Sequence, residues 1–259
     1  MSLNKLKPRQ TRYGWHPDLP DSRDLLYSAP RALRLPPSAD LRHWCSPVED
    51  QGQLGSCTAN ALAGALELLE NKDKDAPFAD LSRLFIYYNE RVLEHSVASD
   101  SGAQLRDGVK ALAKLGACKE SLWPYAIAKF AAKPSLACYK DAAKRVISAY
   151  RRLSGLAQMQ ACLASGFPVA FGFTVYASFE SAAVAKTGTM PMPTRGEAVL
   201  GGHAVLAVGY DNKAGRLLVR NSWGPAWGQQ GYFTMPYAYV QAPGLASDFW
   251  TIEAESWPS

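Results

Sequence analysis

GGHAVLAVGYDNKAGRLLVRNSW, residues 201–223, decides the fold. Two β-branched and apolar runs flank a short DNKAG segment, which is turn chemistry. The spacing predicts a hairpin whose second strand returns to the start of the first. Pairing brings Asn221 beside His203, where its amide oxygen can accept an imidazole N–H, with Trp223 covering that bond from water. Upstream, RVISAYRRL and FPVAFGFTVY read as strands, GLAQMQACLAS as a short helix, and downstream QGYFTMPY as a strand. The back half is therefore mostly β.

The front half has a different texture. CTANALAGALELLENK, from Cys57, predicts a long helix with Ala59, Leu62, Leu66 and Leu69 on one stripe. LSRLFIYYNERVLEH, from Leu81, predicts a second helix, and QLRDGVKALAKLG a third, capped by Gly116. Glu67, Glu70, Asp73 and Asp75 read as a solvated helix end. Two unlike halves make an α+β chain, with a cleft between them as the expected place for a site.

Bulk properties narrow the function. The chain has 259 residues and a net charge of +5, with no apolar run near the roughly 20 residues that span a bilayer. Residues 1–38 hold seven basic and three acidic side chains, so most of the net charge sits in a polar, Pro-rich leader. A basic nucleic-acid-binding face is not expected on the body. No apolar segment follows Lys5 and Lys7, so no signal peptide is read; the compartment stays open, with export the preferred expectation. The five cysteines, Cys45, Cys57, Cys118, Cys138 and Cys162, include no C-x-x-C, and the four histidines are far apart. No metal or organic cofactor is implied.

In QGQLGSCTAN, residues 51–60, Cys57 opens the first long helix after a Gly-Ser pair. The N–H groups and macrodipole there favour a thiolate. A nucleophilic cysteine needs a base, and the base an orienting group; His203 and Asn221 supply both types.

These blocks, QGQLGSCTAN, GGHAVLAVGYD and LLVRNSWGPAWGQQGYF, resemble the signature blocks of the papain-like cysteine peptidases. The interval from Cys57 to His203 falls inside the ~130–150 residues that the family shows. LPPSADLRHWCSPVEDQG resembles the start of the mature enzyme, and SGAQLRDGVKALAKLGACKESLWPY the lining of the non-primed subsites. YGWHPDLPDSRDLLY, LSRLFIYYNER and the GGHAV form resemble the family's bacterial branch.

The resemblance implies a two-lobed fold, with a helical left lobe at about 39–125, a β-barrel-like right lobe at about 126–259, and the cleft between them. It implies a cysteine endopeptidase with Cys57 as nucleophile, His203 as acid and base, Asn221 as orienter and Gln51 as oxyanion donor. The Cys57 and His203 side chains would form a thiolate–imidazolium pair. Gly102 and Ala103 would hold an extended peptide substrate. Leu105 and Gly201 would line the main side-chain pocket, with Gly202 and Trp223 beside them. Asp248 would lie near the pocket base or serve as a structural cap. Trp227 would pack beside Trp223 or the primed side.

Residues 1–38 are too short for the family's large helical prodomain. The expectation is an extended GWHPDLPDSRDLLY segment lying over part of the cleft as an intramolecular pro-segment. Leu54 stands where the family's local signature has a structural cysteine, and Thr58 where it has an aromatic residue. Gly202 replaces the acid or asparagine common before the histidine. Pairing among Cys45, Cys118, Cys138 and Cys162 stays open. An acyltransferase or deamidase on the same fold, or a non-catalytic binding homologue, are the alternatives.

Overall fold

A computed structural model of the chain describes residues 13–29, 34–73 and 79–254. Three helices form the first lobe: α1 (Cys57–Lys72), α2 (Arg83–Leu93) and α3 (Leu105–Leu115). Ser82 caps α2 by accepting the Phe85 N–H at 3.1 Å. Gly116 ends α3 at φ +73°, a region open to glycine.

Helix α1 departs from the expected single apolar stripe. Every residue from Cys57 to Glu70 is buried. Ala61, Ala63, Gly64 and Ala65 are small enough for neighbours to approach on the faces that a surface helix would give to water. At Gly64 an added Cβ would lie 3.3 Å from Arg220 Nε. The helix is thus the shared core of both lobes.

The second lobe is built on β2 (Ala149–Leu153), β3 (Val169–Tyr176), β4 (Val199–Asp211), β5 (Arg216–Arg220), β6 (Tyr232–Pro236) and β7 (Ala246–Glu253). They form one antiparallel sheet in the order β2-β7-β3-β4-β5-β6, and a short strand β1 (Ser38–Asp40) also pairs with β4. The sheet is open: among the described residues no pairing of β2 with β6 closes a barrel. Strand β7, second in the order, was not expected from sequence. Four short helices lie in this half as well: α4 (Leu136–Ala142), α5 (Leu156–Ala164), α6 (Ala182–Thr187) and α7 (Tyr237–Gln241).

The hairpin expectation holds. Asp211 pairs with Arg216 and Leu206 with Arg220, so the DNKAG loop joins β4 to β5. Buried Arg220 donates to the carbonyls of Ser46 and Pro47 at 2.6 and 2.7 Å, tying this hairpin to the first lobe.

The acidic residues of α1 are not solvated, contrary to expectation. Glu67 is 3 % and Glu70 2 % exposed. Glu67 accepts the Ser46 hydroxyl and the Leu81 N–H, and Glu70 pairs with Arg145 at 3.1 Å. Burial pushes both carboxyls up to about 7. Asp75 lies outside the described residues.

Candidate active site

Cys57 is the first residue of α1 and has no exposed surface. The backbone N–H groups of Ala204, Gly14 and Thr58 each favour its charged form. Ala204 follows His203 on β4, so the thiol lies against the histidine's own strand. Burial pushes the thiol up to about 11, against the opposing pull of those N–H groups.

His203 is fully buried on β4. Its Nε2 lies 2.8 Å from Asn221 Oδ1, which also accepts the Ser222 N–H at 2.8 Å. An amide oxygen can only accept, so Nε2 carries the hydrogen and Nδ1 is left with its lone pair. Nδ1 is buried and makes no hydrogen bond among the described residues. Burial pushes the imidazole down to about 4, partly offset by the Asn221 bond. The Trp223 ring stacks on His203 with centroids 5.0 Å apart and planes 25° apart. Trp227 packs edge-on against Trp223 at 5.1 Å.

Gln51 is held in the same assembly. Its backbone N–H donates to Ser222 O at 2.9 Å, its Oε1 accepts the Ser222 hydroxyl, and its Nε2 donates to Leu54 O at 2.9 Å. Tyr125 braces it, donating from its hydroxyl to Gln51 O at 2.9 Å.

The first lobe supplies a backbone wall. Tyr87 and Gly55 both donate to the Asp100 carboxylate, and the Gly102 N–H donates to Tyr87 Oη at 3.0 Å. Asp100 thereby fixes Gly102 (φ +77°) opposite the turn before Cys57.

Leader residues 13–16 fill the space between the walls. Ala103 N–H donates to Gly14 O at 2.7 Å, His16 N–H to Ala103 O at 3.2 Å, and Trp15 N–H to Gly202 O at 3.1 Å. A Cβ on Gly14 would meet Gly55 O at 1.9 Å, and one on Gly172 the Trp15 ring at 1.9 Å. Only glycine permits either approach. Tyr13 sits against Gly201 and is 6.2 Å from the His203 ring, centroid to centroid.

Residues 18–27 follow an ionic track. Asp18 accepts the Arg106 N–H at 3.1 Å and Trp250 Nε1 at 2.8 Å, while its own N–H donates to Asp248 at 2.8 Å. Asp24 pairs with Arg106 at 2.6 Å and Arg152 at 2.8 Å, and Arg152 also reaches Asp248 at 3.1 Å. Arg152 and Tyr27 N–H groups donate to Leu25 and Arg152 carbonyls, each at 2.8 Å.

The structure therefore brings Cys57, His203, Asn221, Gln51 and Trp223 together, with Gly102, Ala103, Gly201 and Gly202 touching the leader. Leu105 is fully buried at the start of α3. Sequence reasoning missed Ala204, Gly172, Arg106 and Arg152. Ala204 acts through its backbone and Gly172 through a missing side chain, while both arginines find partners far away in sequence. The thiolate–imidazolium expectation also changes under the leader. With both groups out of water, burial favours the neutral thiol and neutral imidazole.

A papain family cysteine protease profile matches residues 35–251. The chain belongs to the papain family of cysteine proteases. Among solved structures of this family, xylellain from Xylella fastidiosa is 43 % identical, with a TM-score of 0.89, covering 96 % of this chain and 98 % of that one. An uncharacterised peptidase C1-like protein of Acanthamoeba polyphaga mimivirus is 46 % identical over 213 residues, 79 % of this chain and 68 % of that protein. A procathepsin B from Trypanosoma congolense shares the fold at 17 % identity, with a TM-score of 0.76 over 96 % of this chain and 88 % of its own. This papain-family chain is a hydrolase of the cysteine-peptidase type.

Proposed function

We propose that this protein is a cysteine endopeptidase that acts through Cys57, His203 and Asn221 and is kept latent by its own residues 1–38. The observation that carries the reading is the His203–Asn221 bond, which leaves a bare Nδ1 on the buried imidazole.

Once water and substrate replace the leader, the cost of charging both groups falls. The Cys57 proton passes to His203, and the imidazolium and the α1 N-terminus stabilise the thiolate. The thiolate attacks a peptide carbonyl held along Gly102, Ala103 and Gly202. The oxyanion takes hydrogen bonds from the Cys57 N–H and the Gln51 side chain. His203 gives its proton to the leaving amine, then draws one from the water that releases the acyl group. Asn221 holds the ring throughout, under the cover of Trp223.

The leader's contacts support latency. Gly14 lies beside the Cys57 thiol, and its carbonyl is engaged by the Ala103 N–H of the first lobe's wall.

The test is labelling of leader-free protein by an epoxysuccinyl inhibitor, followed by peptide mapping. The adduct is expected on Cys57, with Cys57→Ala unlabelled and inactive. Hydrolysis retained by Cys57→Ala would overturn the assignment.

A further inference from the structure

Cys118 and Cys138 stand apart from the proposed catalysis. Both are 0 % exposed. With Phe85 and Ala142 they form a small apolar cluster separate from the main core. The two thiols are the only sulfurs in that four-residue cluster. Cys138 Sγ also lies 3.3 Å from Ser135 Oγ and 3.6 Å from Leu122 O. Neighbouring bonds hold the two ends. Ser82 N–H donates to Cys118 O at 2.8 Å, and Lys119 N–H to the Asp141 carboxylate at 3.0 Å. The other thiols outside the site face carbonyls: Cys45 that of Leu41, at 3.8 Å, and Cys162 that of Phe167, at 3.5 Å.

We propose that Cys118 and Cys138 are joined by a disulfide in the protein folded under oxidising conditions, closing the loop that runs from 118 to 138. The step is thiol–disulfide exchange with a small-molecule disulfide such as oxidised glutathione. The two thiols become one S–S bond, and the oxidant leaves as two thiols that carry away both protons and both electrons. No water-filled path is needed after folding, because the bond forms while the loop is still open. Once buried, it is shielded from exchange.

The closed loop matters for the site because of what it carries. The Trp123 carbonyl accepts Ser82 Oγ at 2.6 Å, and the Phe130 carbonyl accepts buried Arg91. Between them Tyr125 bonds to Gln51 O at 2.9 Å and to Ser56 Oγ at 2.6 Å. A bond across the loop ends thus secures the brace behind Gln51. Cross-linking a loop of this length restricts the unfolded chain, an effect that corresponds to a Tm rise on the order of 10 °C.

The full chain, refolded with oxidised glutathione and alkylated with iodoacetamide in denaturant without reductant, tests this. After trypsin, LGACK (115–119) is expected linked to FAAKPSLACYK (130–140), with Cys45, Cys57 and Cys162 alkylated. Prior reduction should release both peptides, each alkylated. Both peptides alkylated without reduction, or either cysteine linked to a different one, would overturn the proposal. In parallel, wild type refolded with reductant should melt on the order of 10 °C lower. The double variant C118S/C138S should show no dependence on reductant. If that variant does not fold, the peptide map of the wild type decides alone.

Discussion

The two halves of the described leader hold on by different physics. Residues 13–16 are held by main-chain bonds to Ala103 and Gly202 and by shape, with Gly14 against Gly55 and Trp15 against Gly172. Residues 18–27 are held by charge, with Asp18 and Asp24 set among Arg106, Arg152 and Asp248. In the proposed reading the first half obstructs, and its polar side chains add only the Tyr13 hydroxyl on the Glu180 carboxylate and His16 on the Ser101 carbonyl. The second half, in the same reading, fastens through its ion pairs with Arg106 and Arg152. Separating these tasks lets the obstructing strand stay small enough to fit beside Cys57.

Removing both halves gives the largest expected effect. A chain beginning at residue 39 should hydrolyse a fluorogenic peptide ~10²-fold or more faster than the full chain, since an intramolecular blocker acts at high effective concentration. Equal rates in a folded product would show that the leader is not inhibitory.

Breaking only the fastening half comes next. The Asp24 side chain is 8 % exposed and that of Arg106 5 %. Removing one partner of a buried pair costs about 3–5 kcal/mol. Asp24→Ala should therefore raise the open fraction about 10²-fold, read as faster inhibitor labelling of Cys57 in the uncleaved chain.

Breaking only the obstructing half is the third arm. Gly14→Val places a side chain where Gly55 O stands, and overpacking costs about 1–3 kcal/mol. Labelling should accelerate by roughly 10-fold, with residues 18–27 still docked and protected from protease. Loss of protection in both halves would mean that they release as one unit.

The smallest effect is on pH. With the leader docked, burial and then the nearby Asp18 charge push Asp248 up to about 6. A raised carboxyl pKa in the docked state means that docking takes up a proton, so this group strengthens docking as pH falls through about 6 and weakens it above. Asp24 works the other way. Burial raises it, but hydrogen bonds from Arg106 and Arg152 outweigh that and hold it below its ordinary value. Its contribution is lost only in stronger acid. Labelling of the full chain should be slowest between these limits. Asp248→Asn should flatten the rise near pH 6, and an unchanged profile would exclude Asp248 as its source.

Local chemistry made part of this legible. The α1 start at Cys57 follows from a Gly-Ser pair before strong helix formers, and the β4–β5 register follows from DNKAG. From that register Asn221 and His203 meet. Long-range pairing hid the rest. Glu67 and Glu70 look like solvated charge until Ser46 and Arg145 arrive from other segments. Strand β7 is almost wholly buried, so SDFWTIE shows no inside–outside alternation strong enough to mark it. Asp24 meets Arg106 and Arg152 across 82 and 128 positions of chain.

Strand β2 ends the sheet order, and Leu26 pairs alongside Arg152 on it. The leader is thus also a selvage on the fabric of the second lobe. In the proposed activation, cutting it away would free the Cys57 thiol and, in the same event, bare the N–H and C=O of a sheet margin. Such margins recruit other strands unless charge keeps them apart. Arg151 and Arg152 stand on that margin, so the side chain that fastens the latent form is left as the guard of the released one.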